Sequence, residues 1–310
     1  NFVLNKAVGF ATQLYPIGAL SKESAGKDLA ELYDMKKAGA VAFGDYNKSL
    51  DNANLLKIAL QYVQDFDGLL LAFSQDENIK GSGVANEGIV STQLGLKGIP
   101  NLAEELQITR NLFLLEYTGG KLHIPTISTK KSVELIKEAK ANGLNVTCSA
   151  AVHHLVLTDE KLKGFDTRYK VSPPLRTETD RKALLKGIKE GTIDMITSDH
   201  NPMDIEHKKM EFDGAKNGTI GLESAFGALM TVLPLETVID KLTAGKSRFG
   251  IDIQIINEGS KANITLFNPE PKSIFTKSSI LSKSKNSAFL ETEIKGKVYG
   301  IINQAKLILA

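Results

Sequence analysis

A chain of 310 residues fits one barrel-sized domain plus a small appendage, and 42% hydrophobic with 24% charged residues gives it a sizeable core to bury. Its 38 Lys+Arg against 36 Asp+Glu leave it near neutral, which excludes a strong attraction to nucleic acid or to an anionic membrane. The single cysteine, Cys148, excludes a disulfide framework and fits a reducing cytoplasm, and no apolar run reaches the roughly 18 residues of a membrane-spanning helix.

The N-terminus carries no signal-peptide pattern. Asn1 to Lys6, without an initiating Met, reads as the middle of an amphipathic helix, so the physiological chain is expected to be longer. From there strand and helix signals alternate. Leu14 to Ala19 is a strand run. Asp28 to Lys37 reads as a helix, with Leu29, Leu32 and Met35 on one face and Gly39 as its stop. Ala40 to Phe43 is the next strand, Ala53 to Phe66 the next helix, and Leu69 to Phe73 a strand after Gly68. Gly81-Ser82-Gly83 lacks the third glycine of a phosphate-cradling fingerprint, since Asn86 stands in its place, and it reads as a loop. Pro100 opens a helix that runs to about Tyr117, before Gly119-Gly120. Strand Leu122 to Thr126, helix Ser132 to Ala141, strand Asn145 to Cys148, helix Asp180 to Lys189 and strand Ile193 to Thr197 complete the series. Six strands, nearly all joined through helices, imply a parallel sheet, either doubly wound or three-quarters of a barrel. Past Glu258 the texture changes: Asn263 to Phe267, Glu291 to Lys295 and Val298 to Ile302 are β-type runs with turns and no helices between them.

Asp199, in Asp199-His200-Asn201-Pro202-Met203, lies just beyond the last strand of the series, where barrel enzymes place catalytic groups. Metal-assisted hydrolysis needs imidazoles and carboxylates converging at such strand ends with a position left for water. The five histidines are His123, His153, His154, His200 and His207, and none forms an HxH or HExxH pair. His123 follows Leu122 and is expected to point away from the barrel end. His153 and His154, taken as strand neighbours, would face opposite sides and share no metal. Asp45, just past the second strand, is by itself an ordinary turn former, and Asp199 has the same plain alternative.

Asn86-Glu87-Gly88-Ile89-Val90-Ser91-Thr92 with Leu94-Gly95-Leu96-Lys97-Gly98-Ile99-Pro100 resembles the NEGxVSTxLGLxGIP segment of class I dihydroorotases. Tyr15 to Leu20, His153-His154-Leu155, Tyr169 to Arg176, Gly221-Leu222-Glu223 and Leu281 to Asn286 match in the same order, over essentially the whole chain. The resemblance implies a zinc-dependent cyclic amidohydrolase that interconverts N-carbamoyl-aspartate and dihydroorotate. It implies a distorted (β/α)8 TIM-like barrel with a small β appendage: residues 1–255 for the barrel, lacking its first two strands, and 256–310 for the β-domain segment. The family's HxH pair belongs to the first strand, so it lies outside this sequence. Asp45 corresponds to the strand-four carboxylate and Asp199 to the strand-eight catalytic aspartate, a vestigial metal pair. The strand-five histidine is Phe73 and the strand-six histidine is Thr126, while Ser172 and Met203 replace the Asn of NPPLR and the last His of DHAPH. Phe offers no lone pair, and a Thr hydroxyl is a poor substitute for imidazole. The expectation is therefore a noncatalytic, cytoplasmic, homo-oligomeric copy without a cofactor, retained as a structural partner of aspartate transcarbamoylase. The alternative is an active dihydroorotase using zinc at a reduced site, with Asp199 catalytic. A hydantoinase-like activity fails the same ligand test.

Overall fold

The computed structural model describes residues 2–309. Helix α1 (Phe2–Ala7) buries none of its side chains. The main sheet begins with β1 (Ile17–Gly18), followed by α2 (Leu32–Lys37), β2 (Ala42–Phe43), α3 (Ala53–Tyr62) and β3 (Leu70–Leu71). An excursion follows, made of α4 (Glu77–Lys80), β4 (Ala85–Asn86), α5 (Ile89–Leu94) and β5 (Gly98–Ile99), with β4 and β5 paired in parallel. The main series resumes with α6 (Leu102–Thr118), β6 (Leu122–Ile124), α7 (Lys130–Ala141), β7 (Val146–Ala151), α8 (Val152–Val156), α9 (Glu178–Lys189) and β8 (Met195–Thr197). The six main strands are all parallel, in the order β1-β2-β3-β6-β7-β8. The sheet curls into a half-barrel.

The helices start where their sequences supply caps. The Asn52 side chain accepts the amides of Asn54 and Leu55 at the start of α3; Thr129 and Thr177 do the same for α7 and α9 through Ser132 and Asp180. Leu56, Leu60, Ile108, Leu115 and Ile136 of the helices pack on Phe43, Leu70, Leu122, Ile124 and Cys148 of the strands in one continuous core. Since strand residues alternate sides, His123, Thr147 and Ser149 belong to the opposite, inner face of the sheet.

Two elements are built differently from the sequence reading. The expected helix from Asp28 starts only at Leu32, because residues 28–30 are held in a β-type bridge: the Lys22 amide donates to Asp28 O (2.9 Å) and the Ala30 amide to Leu20 O (3.0 Å). The runs Glu291 to Lys295 and Val298 to Ile302 are one strand. After α10 (Ile205–Lys208), α11 (Ala225–Leu229), α12 (Leu235–Thr243) and α13 (Gly245–Arg248), strands β9 (Asn263–Ile274), β10 (Glu293–Asn303) and β11 (Lys306–Leu309) form an antiparallel sheet, order β11-β10-β9. Register shifts at Lys295/Lys297 and Val298/Gly300 bend β10 without ending it. Gly296 at the first shift has φ +89°, and a Cβ there would strike the Phe226 ring of α11 at 2.7 Å. This small sheet docks on α11 through Phe226 against Phe267, ring centroids 5.1 Å apart. Gly81-Ser82-Gly83 is the expected turn, closed by Gly83 N to Lys80 O (2.9 Å). Among the described residues, no helix is long and apolar enough to cross a membrane.

Candidate functional site

The C-terminal end of β8 delivers Asp199 to the mouth of the half-barrel. The residue adopts a positive φ (+43°), and its amide donates to Thr197 Oγ1 at 3.2 Å. Its carboxylate is buried; Oδ1 accepts the Tyr46 hydroxyl, and Oδ2 lies 3.9 Å from His153 Nε2. Burial pushes the Asp199 carboxyl above the usual range, against the lowering effect of the Tyr46 hydrogen bond. The Tyr46 phenol is pushed up as well, first by burial and then by the Asp199 charge.

His153 and His154 do not lie on a strand. They occupy α8, which begins directly after β7, and their ring centroids are 4.4 Å apart. A helix turns neighbouring side chains through about 100°, so the two rings meet at an angle where a strand would have separated them. Burial brings each imidazole down to about 3, so both are neutral at ordinary pH. His154 Nε2 donates to Pro173 O at 3.0 Å, whereas neither nitrogen of His153 has a hydrogen-bond partner among the described residues.

Asp45 does not reach Asp199. Its Oδ1 accepts the amides of Leu20 (2.9 Å) and Ser21 (3.1 Å), and its Oδ2 accepts the Ser21 hydroxyl, so both oxygens fasten the end of β1 to the turn after β2. The side chain from this turn that enters the mouth is the next one, Tyr46. Phe73 is buried and contributes a backbone carbonyl, which accepts Ser49 Oγ at 3.1 Å. Thr126 is buried with φ +51°, and its hydroxyl has no hydrogen-bond partner among the described residues. His123 is not turned away from this region: its ring bonds Thr147 Oγ1 (3.0 Å) and Ser149 Oγ (3.2 Å), and Ser149 Oγ also accepts the Thr126 amide. His200 Nδ1 accepts the amides of Gly221 and Leu222, each at 3.3 Å, which leaves its proton on Nε2. His207 lies outside the mouth, 3.7 Å from Asp204.

These residues do not fit a zinc ion. Protein zinc sites take three or four N, S or O ligands, and among the described residues no three His, Cys, Asp or Glu side chains converge to supply them. His153 with Asp199 is the nearest approach to a donor set, and one Asp199 oxygen is already taken by a phenol.

Beside the mouth lies a polar network that motif reading did not anticipate. The Arg176 guanidinium is buried and donates to Ser128 Oγ, Asn86 Oδ1 and Ile99 O, each at 3.0 Å, with Glu104 Oε2 at 3.8 Å. Glu104, also buried, accepts the amides of Ser128 and Thr129 and the hydroxyls of Ser128 and Ser132. Asn86 Nδ2 donates to Asp159 Oδ2 at 3.0 Å. The network joins β4, α6, the start of α7 and the segment before α9, at the edge of a cleft of about 540 Å³ that Asn86 lines.

A curled parallel sheet with crossover helices, a side β-sheet and an aspartate after the last strand make a half-barrel of the TIM type. L-hydantoinase (dihydropyrimidinase) from Arthrobacter aurescens superposes with a TM-score of 0.82 at 21% identity, over 97% of this chain and 70% of that one. Dihydropyrimidinase from Brevibacillus agri gives 0.75 at 18% identity, over 99% and 79%. At these identities the likeness is one of fold. The sequence is more particular: residues 8–132 match the dihydro-orotase-like family model. Dihydroorotase of Pelotomaculum thermopropionicum is 41% identical over 314 residues, covering 98% of this chain and 73% of the relative. That of Acetivibrio thermocellus is 40% identical over 307 residues, covering 96% and 72%. The chain belongs to the dihydroorotase family.

Proposed function

We propose that this chain is a noncatalytic dihydroorotase-like protein of pyrimidine biosynthesis, retained in the cytoplasm as a structural partner of aspartate transcarbamoylase and itself oligomeric. The observation that carries the reading is the occupation of Asp199 by the Tyr46 hydroxyl, with Phe73 and the unpartnered Thr126 where the family resemblance calls for histidines. In this chemistry a bound cation would supply polarisation of the ring amide and activation of water, and Asp199 would be the carboxylate that relays a proton. A site that cannot hold the cation loses the first two contributions, and an Asp199 already accepting a phenol proton is poorly free for the third.

The test is metal content per chain by elemental mass spectrometry after purification without chelators, with a dihydroorotate hydrolysis assay on the same sample. Substoichiometric metal and no turnover support the reading. Stoichiometric zinc with turnover replaces it by an active dihydroorotase with a reduced site. The double variant Phe73→His/Thr126→His in the full chain is expected to raise zinc uptake. Partnership is tested by size-exclusion chromatography with light scattering, with and without aspartate transcarbamoylase. Separate elution at micromolar concentrations would remove that part of the proposal.

A further inference from the structure

We propose that Tyr46 is a strut across the barrel mouth, its hydroxyl standing on Asp199 and tying the two sides of the half-barrel together. The inference rests on the noncatalytic reading and goes on to say what holds the mouth in shape.

Tyr46 lies beyond the end of β2 and Asp199 beyond the end of β8. In the sheet these strands are separated by β3, β6 and β7. A contact between their ends therefore spans the chord of the half-barrel, linking positions 153 residues apart in sequence. The base of the strut is rigid. Asp45 binds the Leu20 and Ser21 amides and the Ser21 hydroxyl, the Lys48 amide donates to Asp45 O (2.9 Å), and Lys48 Nζ donates to Ser24 O (3.0 Å). The turn after β2 is thus fastened to β1 before it presents the phenol. Asp199 in turn is poorly supplied with other side-chain partners. Its nearest basic group, His153 Nε2, is 3.9 Å away, beyond hydrogen-bond distance. Tyr46 as a residue is 54% exposed while its hydroxyl is sheltered at Asp199, so the side chain contributes little by packing. What it brings to the buried carboxylate is its hydroxyl proton, and hydrogen bonds to charged groups are the stronger kind.

A double-mutant cycle in the full-length chain tests this: Tyr46→Phe in the wild-type background and in an Asp199→Ala background, with the unfolding equilibrium read by urea denaturation. If the strut exists, Tyr46→Phe lowers the unfolding stability constant about ten- to a hundredfold when Asp199 is present, and by less than about threefold when it is absent. Should Asp199→Ala fail to fold, Asp199→Leu serves as the second background, with the same expected loss of coupling. Equal effects of Tyr46→Phe in both backgrounds overturn the proposal. A parallel measurement separates it from the reading on which it rests. Under the noncatalytic reading, zinc or EDTA leaves the wild-type urea midpoint unmoved. A wild-type midpoint that falls with EDTA overturns that reading, while the cycle still decides the role of Tyr46.

Discussion

Arg176→Met removes a buried charged head and keeps most of the volume of its stem. Three acceptors, Ser128 Oγ, Asn86 Oδ1 and Ile99 O, each bonded at 3.0 Å, lose this donor. Ile99 O keeps the Glu87 amide (3.1 Å) and Ser128 Oγ keeps its bond to Glu104, so Asn86 Oδ1 is the acceptor left unpaired, at a cost of about 1–3 kcal/mol. Glu104 loses its buried counter-charge at 3.8 Å but keeps four donors, from Ser128, Thr129 and Ser132, so it stays solvated by fixed dipoles. Removing one partner of a buried pair costs about 3–5 kcal/mol. Water entering from the cleft beside Asn86 can reoccupy part of the space, which places the expected loss near the lower bound, about 3 kcal/mol. The assay is urea unfolding followed by far-UV circular dichroism, since the chain has no tryptophan to serve as a fluorescent probe. Glu104→Gln is the companion variant. It takes the foremost opposite charge from the buried guanidinium, leaving Asp180, Glu105 and Asp159 as the remaining carboxylates, and it is expected to destabilise as well. A loss below about 1 kcal/mol for Arg176→Met would refute the reasoning. Arg176 would then be filling space, with its acceptors served by water.

Three further outcomes are expected. Burial lowers the Lys208 ammonium from 10.5 to about 8, its Nζ donating only to the carbonyls of Lys170 (3.1 Å) and Lys216 (2.9 Å). Between pH 8 and 10.5 the unfolded chain holds this proton and the folded chain does not. Wild-type stability should therefore rise relative to Lys208→Met across that window, by roughly 2–3 kcal/mol; a pH-independent difference between the two would remove the argument. His123 has its folded value depressed to about 3 from 6.5, so its contribution is complete above pH 6.5 and is lost as the pH falls toward 3. His123→Gln, which does not titrate, should show a shallower acid limb in urea midpoints measured from pH 7 to 4, and identical limbs would contradict the assignment. Gly221 lies against Ser198, and a Cβ there would stand 2.2 Å from the Ser198 carbonyl oxygen. Gly221→Ala should therefore cost about 1–3 kcal/mol in thermal or urea unfolding, and a neutral result would mean the backbone before Asp199 yields freely.

The fold was legible because barrel strands and their crossover helices announce themselves locally. All six strand runs and the helices after Ala53, Pro100, Ser132 and Asp180 lie where apolar periodicity and the Gly, Pro and Ser/Thr signals put them. Errors arose where a local pattern met a tertiary bond. Residues 28–30 carry a helical pattern, but the backbone of residues 20–22 claims them for a bridge. His153-His154 follow a strand without a break, and no Gly, Pro or capping side chain marks the switch to α8; its first residue is capped by the backbone of Ala151 alone.

The site was legible only in part, and the reason is geometric. Asp199 can be found from sequence because its position depends on one strand and one strand end. Tyr46 cannot, because a phenol after an aspartate carries no ligand signature and its significance depends on the curl of the whole sheet. Asp45 and Tyr46 are chain neighbours, and a one-residue difference at the end of a strand sends a side chain in another direction. Sequence reasoning selects the carboxylate there, since carboxylates bind metals, whereas the structure gives that carboxylate to the amides of β1 and turns the phenol toward Asp199. The residue type that suggests metal chemistry and the residue position that could perform it have separated at this turn. The same separation occurs at Thr126, where the backbone holds a positive φ at the barrel mouth but the side chain ends in an unpartnered hydroxyl. At both positions the side chain ends in a hydroxyl, and not in a carboxylate or an imidazole. Metal content, and after it binding to aspartate transcarbamoylase, are the measurements on which the proposed noncatalytic reading turns.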